Sequence, residues 1–312
     1  MASAADRHQR ARLGIPELIS QTGPIAKIAT MKRIDSVAEM KAACREITRA
    51  GRSLGFVPTM GALHEGHASL VRASKAQCQA TAVSIFVNPL QFAPNEDLAK
   101  YPRTLEGDAQ MLQALGVDVL FVPTVEEMYP AGATTYVEVG GISDRLDGRS
   151  RPGHFRGVAT VVAKLFEVVR PNRAFFGQKD AAQVAVLRRM ARDLDMDVQL
   201  VICPIVREKD GLAMSSRNAY LNAGERQQAL VLNRALMRVL YEADRGERDV
   251  AKLIAVGESV MAEEPAARLD YFAMVDPDSL AAVSDLSRGA LVAVAAFVGT
   301  TRLIDNLLLT PR

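Results

Sequence analysis

Cysteine is scarce in this sequence, which contains three in 312 residues. Cys44, Cys78 and Cys203 lie far apart, and no Cys-x-x-Cys pair occurs. An odd number of scattered cysteines excludes a disulfide framework and a structural zinc site of the usual spacing. The pattern is typical of a protein kept in a reducing cytosol, so we predict a cytoplasmic location.

The sequence also lacks an excess of positive or negative charge, and it lacks long apolar runs. The 38 Lys and Arg nearly balance the 36 Asp and Glu, and a net charge of +2 indicates no basic surface of the kind that binds nucleic acid or membranes. The longest apolar run, residues 290–298, is too short to span a bilayer and predicts a buried strand. We therefore expect neither a nucleic-acid partner nor a membrane partner.

Residues 1–30 lack the apolar segment that a signal peptide requires. The stretch is polar and contains Gly14, Pro16, Gly23 and Pro24. We predict a flexible N-terminal extension over residues 1–30.

Hydrophobic residues are plentiful, at 49% of the chain, and short apolar runs alternate with helical patterns up to about residue 205. This alternation predicts an α/β fold with a Rossmann-like parallel sheet, whose ligands bind beyond the carboxyl ends of the strands. The predicted strands cover residues 53–58, 81–87, 117–122, 173–176 and 198–203. The predicted helices cover residues 36–49, 66–79, 104–115, 157–169 and 180–193.

The pattern changes after residue 205. Two long helices, predicted at 223–244 and 249–262, are followed by strands predicted at 270–275, 290–297 and 301–308. Helices followed by consecutive strands indicate a smaller α+β domain. We place a Rossmann-like domain at 31–205 and a C-terminal lid domain at 206–312.

The stretch from residue 56 to residue 67 reads Phe-Val-Pro-Thr-Met-Gly-Ala-Leu-His-Glu-Gly-His. A strand that turns on glycines and opens a helix presents the positive end of a helix dipole to an anion. His64 and His67 add two imidazole donors that can carry positive charge near neutral pH. The arrangement suits a nucleoside triphosphate.

Two other interpretations of these histidines stay open. A lone His is often a hydrogen-bonded structural residue, and a pair can ligate a metal. The zinc-protease pattern needs His at i and i+4, whereas the spacing here is i and i+3 with no Cys or third His nearby. We therefore predict no metal-ligating side chain. His154 and Arg156 lie in another Gly-containing turn and are further candidates, unless that turn is only a helix cap.

Polar side chains also follow two other predicted strands. Asn88 and Gln91 lie just past one strand, where amides can face a ligand, although an Asn-Pro turn would explain Asn88 equally well. Lys179 follows Gly177 at the end of another strand, a suitable place for a phosphate-binding cation. We expect Asp180 to cap the helix that begins there, at least in part.

A loop rich in donors follows the predicted domain boundary. It contains Gly211, Ser215, Ser216, Arg217 and Asn218. Two hydroxyls and a guanidinium suit phosphate, whereas a polar hinge between domains would have a similar composition. Both interpretations can hold, because a hinge loop that carries charge could close on ATP.

Taken together, these motifs resemble the nucleotidyltransferase superfamily, and within it most closely the pantoate–β-alanine ligase (pantothenate synthetase) family. The segments that carry the resemblance cover residues 58–67, 86–92, 101–104, 154–158, 176–180, 210–218 and 299–306, in the order that the family has them. The sequence departs from the family's pattern at Gln178, where many members have Glu, and at Ala181 and Ala182, which replace an aromatic-Gln pair.

The resemblance implies ATP-dependent condensation of pantoate with β-alanine, giving pantothenate, AMP and pyrophosphate through a pantoyl adenylate. It also implies Mg²⁺ and a homodimer. It makes His67 a proton donor and His64 and Lys179 catalytic, with pantoate held by Gln91 and Gln183, and with Gln91 also near β-alanine. The residues that it implies for ATP are Met60, Gly61, Ala62, Leu63, His64, Glu65, Gly66, His67, Gly177, Gln178, Lys179, Asp180, Val206, Met214, Ser215, Ser216 and Arg217.

Three alternatives compete with this interpretation. A tRNA-charging or other adenylyl-transferring enzyme of the same superfamily would need an anticodon-binding domain or a different acceptor site, and no basic surface is evident. A non-catalytic nucleotide sensor would be expected to lack a charged site residue, yet His64, His67, Lys179 and Arg217 are all present. A metal-dependent hydrolase fails on ligand spacing.

Overall fold

The computed structural model describes residues 31–94 and 96–311. The predicted extension at residues 1–30 lies outside the described residues. The strands form a six-stranded sheet in the order β1-β4-β3-β2-β5-β6 and a three-stranded sheet in the order β7-β8-β9. Their bounds are β1 Lys32–Ile34, β2 Leu54–Thr59, β3 Ala80–Ile85, β4 Val119–Phe121, β5 Arg173–Gly177, β6 Gln199–Cys203, β7 Ala267–Val275, β8 Ala290–Val298 and β9 Thr301–Leu309.

The α-helices begin close to where the sequence predicts them, because most of their caps are encoded locally. Ser36 accepts a hydrogen bond from the N–H of Glu39, and Asn222 forms a capping box with Glu225. The bounds are α1 Val37–Arg49, α2 Glu65–Gln77, α3 Leu105–Ala114, α4 Val125–Met128, α5 Asp147–Ser150, α6 His154–Val169, α7 Ala181–Asp193, α8 Ala223–Asp244 and α9 Val250–Ala262. Among the predicted helices α6 differs most, because it was predicted to begin at Gly157, and the short helices α4 and α5 were not predicted.

Helices cover both faces of the larger sheet, and all of its strand pairs are parallel. Successive strand residues alternate between the two layers. Phe56 and Phe176 pack with α1, α6 and α7, whereas Val57 and Phe175 pack with α2 and α3. The predicted Rossmann-like α/β fold is therefore confirmed.

The order of the larger sheet reverses between β2 and β5, which pair directly through Gly55 and Arg173. The chain runs outward from β2 through β3 to β4 on one side and from β5 to β6 on the other. A reversal of this kind leaves a crevice at the carboxyl ends of the two strands. The edge strand β1 was not predicted. The histidine turn therefore follows the second strand of the chain, whereas the prediction had it follow the first.

The smaller sheet is antiparallel and belongs to the C-terminal part, as predicted. One face of this sheet packs against α8 and α9. Val275, Leu280, Leu291 and Ala293 instead join the core of the larger sheet, so the two parts share apolar contacts. The domain boundary at residue 205 stays a prediction. Within the described residues, no helix combines the length and the apolar character needed to cross a membrane.

Candidate active site

Two histidines form the cap of α2 beside the crevice. His64 is the N-cap residue, and its Nδ1 accepts a hydrogen bond from the N–H of Gly66 at 3.1 Å. The Nδ1 of His67 accepts from the N–H of His64 at 3.3 Å, which completes a capping box made of imidazoles. A neutral imidazole that accepts at Nδ1 carries its proton at Nε2. Each ring is therefore left with an Nε2–H donor.

Burial decides the charge of these rings. Although part of each ring faces a cavity, the protein atoms around them desolvate both, and their centroids lie 4.2 Å apart. Burial, with His64 as the next cause, lowers the pKa of His67 to about 3. Burial and the nearby Lys179 also lower the pKa of His64. Both lowered pKa values favour neutral rings near neutral pH, contrary to the expectation that these imidazoles can carry positive charge there.

A buried carboxylate holds the turn that leads into α2. Gly61 and Ala62 both have positive φ, at 88° and 50°. Asp108, on α3, accepts hydrogen bonds from the N–H groups of Ala62 and Leu63, each at 2.9 Å, and from the hydroxyl of Thr104 at 3.0 Å. Asp108 was not predicted from the sequence. The only signal was Thr104, the last residue of the motif at residues 101–104.

Lys179 lies at the end of β5, on the other side of the crevice. Its Nζ is 3.7 Å from a carboxylate oxygen of Asp180. Asp180 holds the N-cap position of α7 but makes no side-chain cap hydrogen bond, so the capping role expected for it is wrong. The carboxylate lines the cavity instead. Asn306, on β9, donates to the carbonyl oxygens of Gln178 and Lys179, at 3.1 and 2.9 Å, so the smaller sheet positions this turn.

Arg217 lies in the loop that follows the predicted domain boundary. Its Nε and Nη2 donate to the two carboxylate oxygens of Asp97, each at 3.0 Å. Ser215 accepts from the N–H of Arg217, and the hydroxyls of Ser216 and Tyr101 lie 3.2 Å apart. The guanidinium is therefore bound to a carboxylate from the N-terminal part, a contact that the sequence did not indicate. This pair uses two of the five N–H donors of the guanidinium, so Arg217 can still donate to a phosphate while it stays bound to Asp97.

The side chains of His154 and Arg156 lie in different surroundings. His154 lies 2.8 Å from the carbonyl oxygen of Gln91 and 3.0 Å from Nη1 of Arg151. Arg156 lies over the ring of Tyr136, 4.0 Å from its centroid, and is not among the residues that line the two cavities described next. His154 thus supports the site, whereas Arg156 lies away from it.

A cavity of about 210 Å³ occupies the crevice, and a neighbouring cleft of about 840 Å³ shares part of its lining. The predicted site residues that line the smaller cavity are Met60, His64, Gly66, His67, Gln91, Gly177, Lys179, Asp180, Gln183, Val206, Met214, Ser215, Ser216 and Arg217. Five predicted residues are not part of this lining, namely Gly61, Ala62, Leu63, Glu65 and Gln178. The first three belong to the turn held by Asp108, Glu65 pairs with Arg72, and Gln178 donates to Asn306.

Metal ligands are sparse around this site. In the described parts of the chain, no three His, Cys, Asp or Glu residues come together as a metal cluster. Asp180 contributes a half-exposed carboxylate, whereas Asp97 is paired with Arg217. A divalent ion would depend mainly on oxygen ligands brought by a substrate.

The parallel sheet has helices on both faces, and a His-x-Gly-His helix cap lies where its strand order reverses, between β2 and β5. These features define a Rossmann-like enzyme of the nucleotidyltransferase type. The sequence pattern of the family described as Pantoate-beta-alanine ligase matches residues 32–308. The chain belongs to this family.

Similar proteins agree with the assignment. The chain is 63% identical to a pantothenate synthetase of Acidobacterium capsulatum, over 89% of this chain and 97% of the relative, and 61% identical to that of Koribacter versatilis, over 89% and 96%. The crystal structure of pantothenate synthetase from Thermus thermophilus matches 90% of this chain and 100% of that chain, with 48% identity and a TM-score of 0.86. A pantoate-beta-alanine ligase from Francisella tularensis, complexed with beta-gamma ATP and beta-alanine, matches 89% and 98%, with 34% identity and a TM-score of 0.72.

Proposed function

We propose that this protein condenses pantoate with β-alanine in an ATP-dependent reaction that gives pantothenate, AMP and pyrophosphate. Family membership supports this reaction. The observation that carries it is the placement of Lys179 and the Nε2–H donors of His64 and His67 around one cavity at the switch point of the sheet. That cavity and the adjoining cleft offer room for more than one substrate.

The first step forms a pantoyl adenylate. A carboxylate oxygen of pantoate attacks the α-phosphorus of ATP, and the bond to pyrophosphate breaks. Negative charge grows on the phosphoryl oxygens, so fixed donors lower the barrier. We assign that role to Lys179, as the cation, and to His64 and His67, as neutral donors at the positive end of α2. Ser215 and Ser216 add hydroxyls.

The second step forms the amide. The amine of β-alanine attacks the acyl carbon of the adenylate, AMP leaves with the electron pair of the broken C–O bond, and the nitrogen gives up a proton to bulk solvent. The protein mainly positions the amine and keeps water from the mixed anhydride. Gln91 and Gln183 line the cavity and can hold the acid without adding charge. We also place β-alanine next to Gln91.

Mg²⁺ is part of the proposal. When bound, it would neutralise charge on the triphosphate, and in such sites it usually takes one or two carboxylates together with substrate phosphates and water. The sparse donor set fits a substrate-borne ion of this kind. Asp180 is the residue that would hold it, because its carboxylate lines the cavity without a helix-capping bond.

The remaining features rest on the family and on contacts between the two parts. We propose a homodimer and a cytoplasmic location. We also propose that residues 206–312 act as a lid on the domain at 31–205. Two contacts that cross the boundary support this role, the pair between Arg217 and Asp97 and the hydrogen bonds of Asn306 to the turn at Lys179.

Pyrophosphate exchange tests the function. The assay measures exchange between ATP and labelled pyrophosphate with pantoate, without β-alanine, and with a panel of other small carboxylic acids as controls. Exchange that requires pantoate would establish both the adenylate and the first substrate. Exchange with a different acid would replace pantoate as the substrate, and no exchange with any acid would contradict a free adenylate intermediate.

A further inference from the structure

Asn88 is buried at the end of β3, and the protein itself uses all of its hydrogen-bonding positions. Its Oδ1 accepts from the hydroxyl of Tyr129 at 2.8 Å and from the N–H of Leu90 at 3.3 Å. Its Nδ2 donates to the carbonyl oxygen of Gly157 and to Oε1 of Gln91, each at 3.1 Å. An amide side chain has two donor hydrogens and two acceptor lone pairs. Asn88, 1% exposed, therefore has no position left for a substrate.

The backbone determines which end of Asn88 is oxygen. The amide N–H of Leu90 can only donate, so the atom that it meets must be Oδ1. The carbonyl oxygen of Gly157 can only accept, so the atom that it meets must be Nδ2. These partners are close because Gly157 lets α6 pack directly on the turn at residues 89–91, where a Cβ would collide with the carbonyl of Leu90.

The orientation of the Asn88 amide also determines the orientation of the Gln91 amide. The NH₂ of Asn88 points at Gln91, so the Gln91 atom that it meets is the acceptor, Oε1. The other end, Nε2, lies 2.8 Å from the thioether sulfur of Met60, a weak acceptor. Gln91 and Met60 both line the smaller cavity. The amide of Gln91 therefore turns its NH₂ toward the cavity, while its Oε1 faces Asn88.

Two further contacts hold this arrangement in place. Burial raises the pKa of Tyr129, which keeps its hydroxyl protonated and able to donate to Asn88. His154 accepts from Arg151 at Nε2, so in its neutral form it donates from Nδ1 to the carbonyl of Gln91. Side chain and backbone of Gln91 are thus both held by residues outside the predicted substrate contacts.

We propose that Asn88, held by Tyr129, is a positioning residue that orients Gln91 so that its NH₂ faces the substrate. Gln91 then recognises an oxygen acceptor, a carboxylate or hydroxyl oxygen of the acid. The inference rests on the proposed function, because it assumes that Gln91 contacts the acid.

The test is a double-mutant cycle in the pyrophosphate-exchange assay, with pantoate and ATP varied separately. Gln91→Ala removes the donor. Asn88→Asp keeps the size of the side chain but offers Gln91 only acceptors, so the Gln91 amide turns and presents Oε1 to the cavity. We expect each change to raise the KM for pantoate on the order of 10- to 100-fold and to alter the KM for ATP less than about threefold.

The double variant is decisive. If Asn88 acts only through Gln91, Asn88→Asp changes the KM for pantoate by less than about threefold when Gln91 is already alanine. Multiplied effects, or an unchanged KM in Asn88→Asp alone, would overturn the proposal. Absence of pantoate-dependent exchange in the wild type would instead overturn the proposed function, and this inference with it.

Tyr129→Phe keeps the test valid if the buried aspartate prevents folding. It removes one donor to Asn88 while the contacts to Leu90 and Gly157 remain, so we expect a rise in the KM for pantoate of about two- to fivefold that disappears in the Gln91→Ala background. Tyr136→Phe is the matched control, because Tyr136 is half exposed and packs on Arg156. A rise that persists without Gln91, or an equal rise in the control, would refute the role of Tyr129.

Discussion

Replacing Asp108 by asparagine perturbs the turn before α2 without changing its volume. Both carboxylate oxygens of Asp108 accept backbone N–H groups, from Ala62 and Leu63, and the side chain is 3% exposed. In Asp108→Asn, one of those N–H groups faces an NH₂ and loses its partner. The turn that places His64 then relaxes, because the N–H groups of Ala62 and Leu63 no longer both bind residue 108 and so no longer hold Ala62 at its positive φ.

The structure sets the size of the expected effect. Hydrogen bonds to a charged group contribute about 1.5–3 kcal/mol, and an unsatisfied buried N–H costs a similar amount, so we expect Asp108→Asn to lower the free energy of unfolding by about 2–4 kcal/mol. For a chain of this size that corresponds to a fall in Tm of roughly 3–6 °C. A shift of the imidazole donors by about 1 Å would lower pyrophosphate exchange on the order of 100-fold at temperatures where the variant is folded.

Asp118→Asn is the matched control. Asp118 also accepts a backbone N–H, from Thr81 at 2.9 Å, but it precedes β4 at the opposite end of the sheet. Thermal unfolding and exchange, measured on both variants, separate stability from positioning. We expect both variants to lose stability and only Asp108→Asn to lose activity. Full activity in folded Asp108→Asn, or an equal loss in Asp118→Asn, would refute the reasoning.

Three other predictions concern the same site. Lys179→Ala should raise the activation barrier of the exchange reaction by about 2–4 kcal/mol and leave Tm unchanged. A normal exchange rate in this variant would contradict a role for Lys179 in the site. Gly66→Ala should abolish most exchange, because a Cβ there would lie 2.8 Å from Cε1 of His64, whereas Gly107→Ala meets nothing within 4 Å and should be harmless; equal effects would contradict this. Because the pKa of His67 falls from 6.5 to about 3 on folding, the unfolded chain binds more protons between these values, and stability falls as pH falls. From about pH 7.5 to about pH 5.5, denaturant unfolding should show a loss of about 1.4 kcal/mol from this group that His67→Gln removes, and an identical loss in the variant would refute the shift.

Local chemistry made most of the fold predictable. The alternation of apolar runs with amphipathic stretches is a short-range pattern, and caps such as Ser36 and Asn222 lie beside the helices that they start. The edge strand β1 was missed because two of its three residues, Lys32 and Arg33, are charged, so it has no apolar run to recognise. Its hydrogen bonds go to β4, some 87 residues further along the chain.

The candidate site was predictable only where its residues lie in compact motifs. His64, His67, Lys179 and Gln91 follow strand ends, and the structure brings them together around one cavity. The role expected for Asp180 as a cap was wrong, because N-cap position in the sequence does not ensure that the side chain turns back to the helix. The functions of the site residues stay predictions until the variants above are measured.

The sequence by itself determined the order of elements, the parallel sheet and the family, because each depends on neighbours along the chain. Only the tertiary structure decided the charge of the histidines, the pairing of Arg217 with Asp97 and the orientation of Gln91. These properties depend on burial and on partners far away in sequence, such as Asp108 for the turn at Ala62 and Gly157 for Asn88. Desolvation and hydrogen-bond polarity are set by the atoms that surround a group, and those atoms are assembled only when the chain folds.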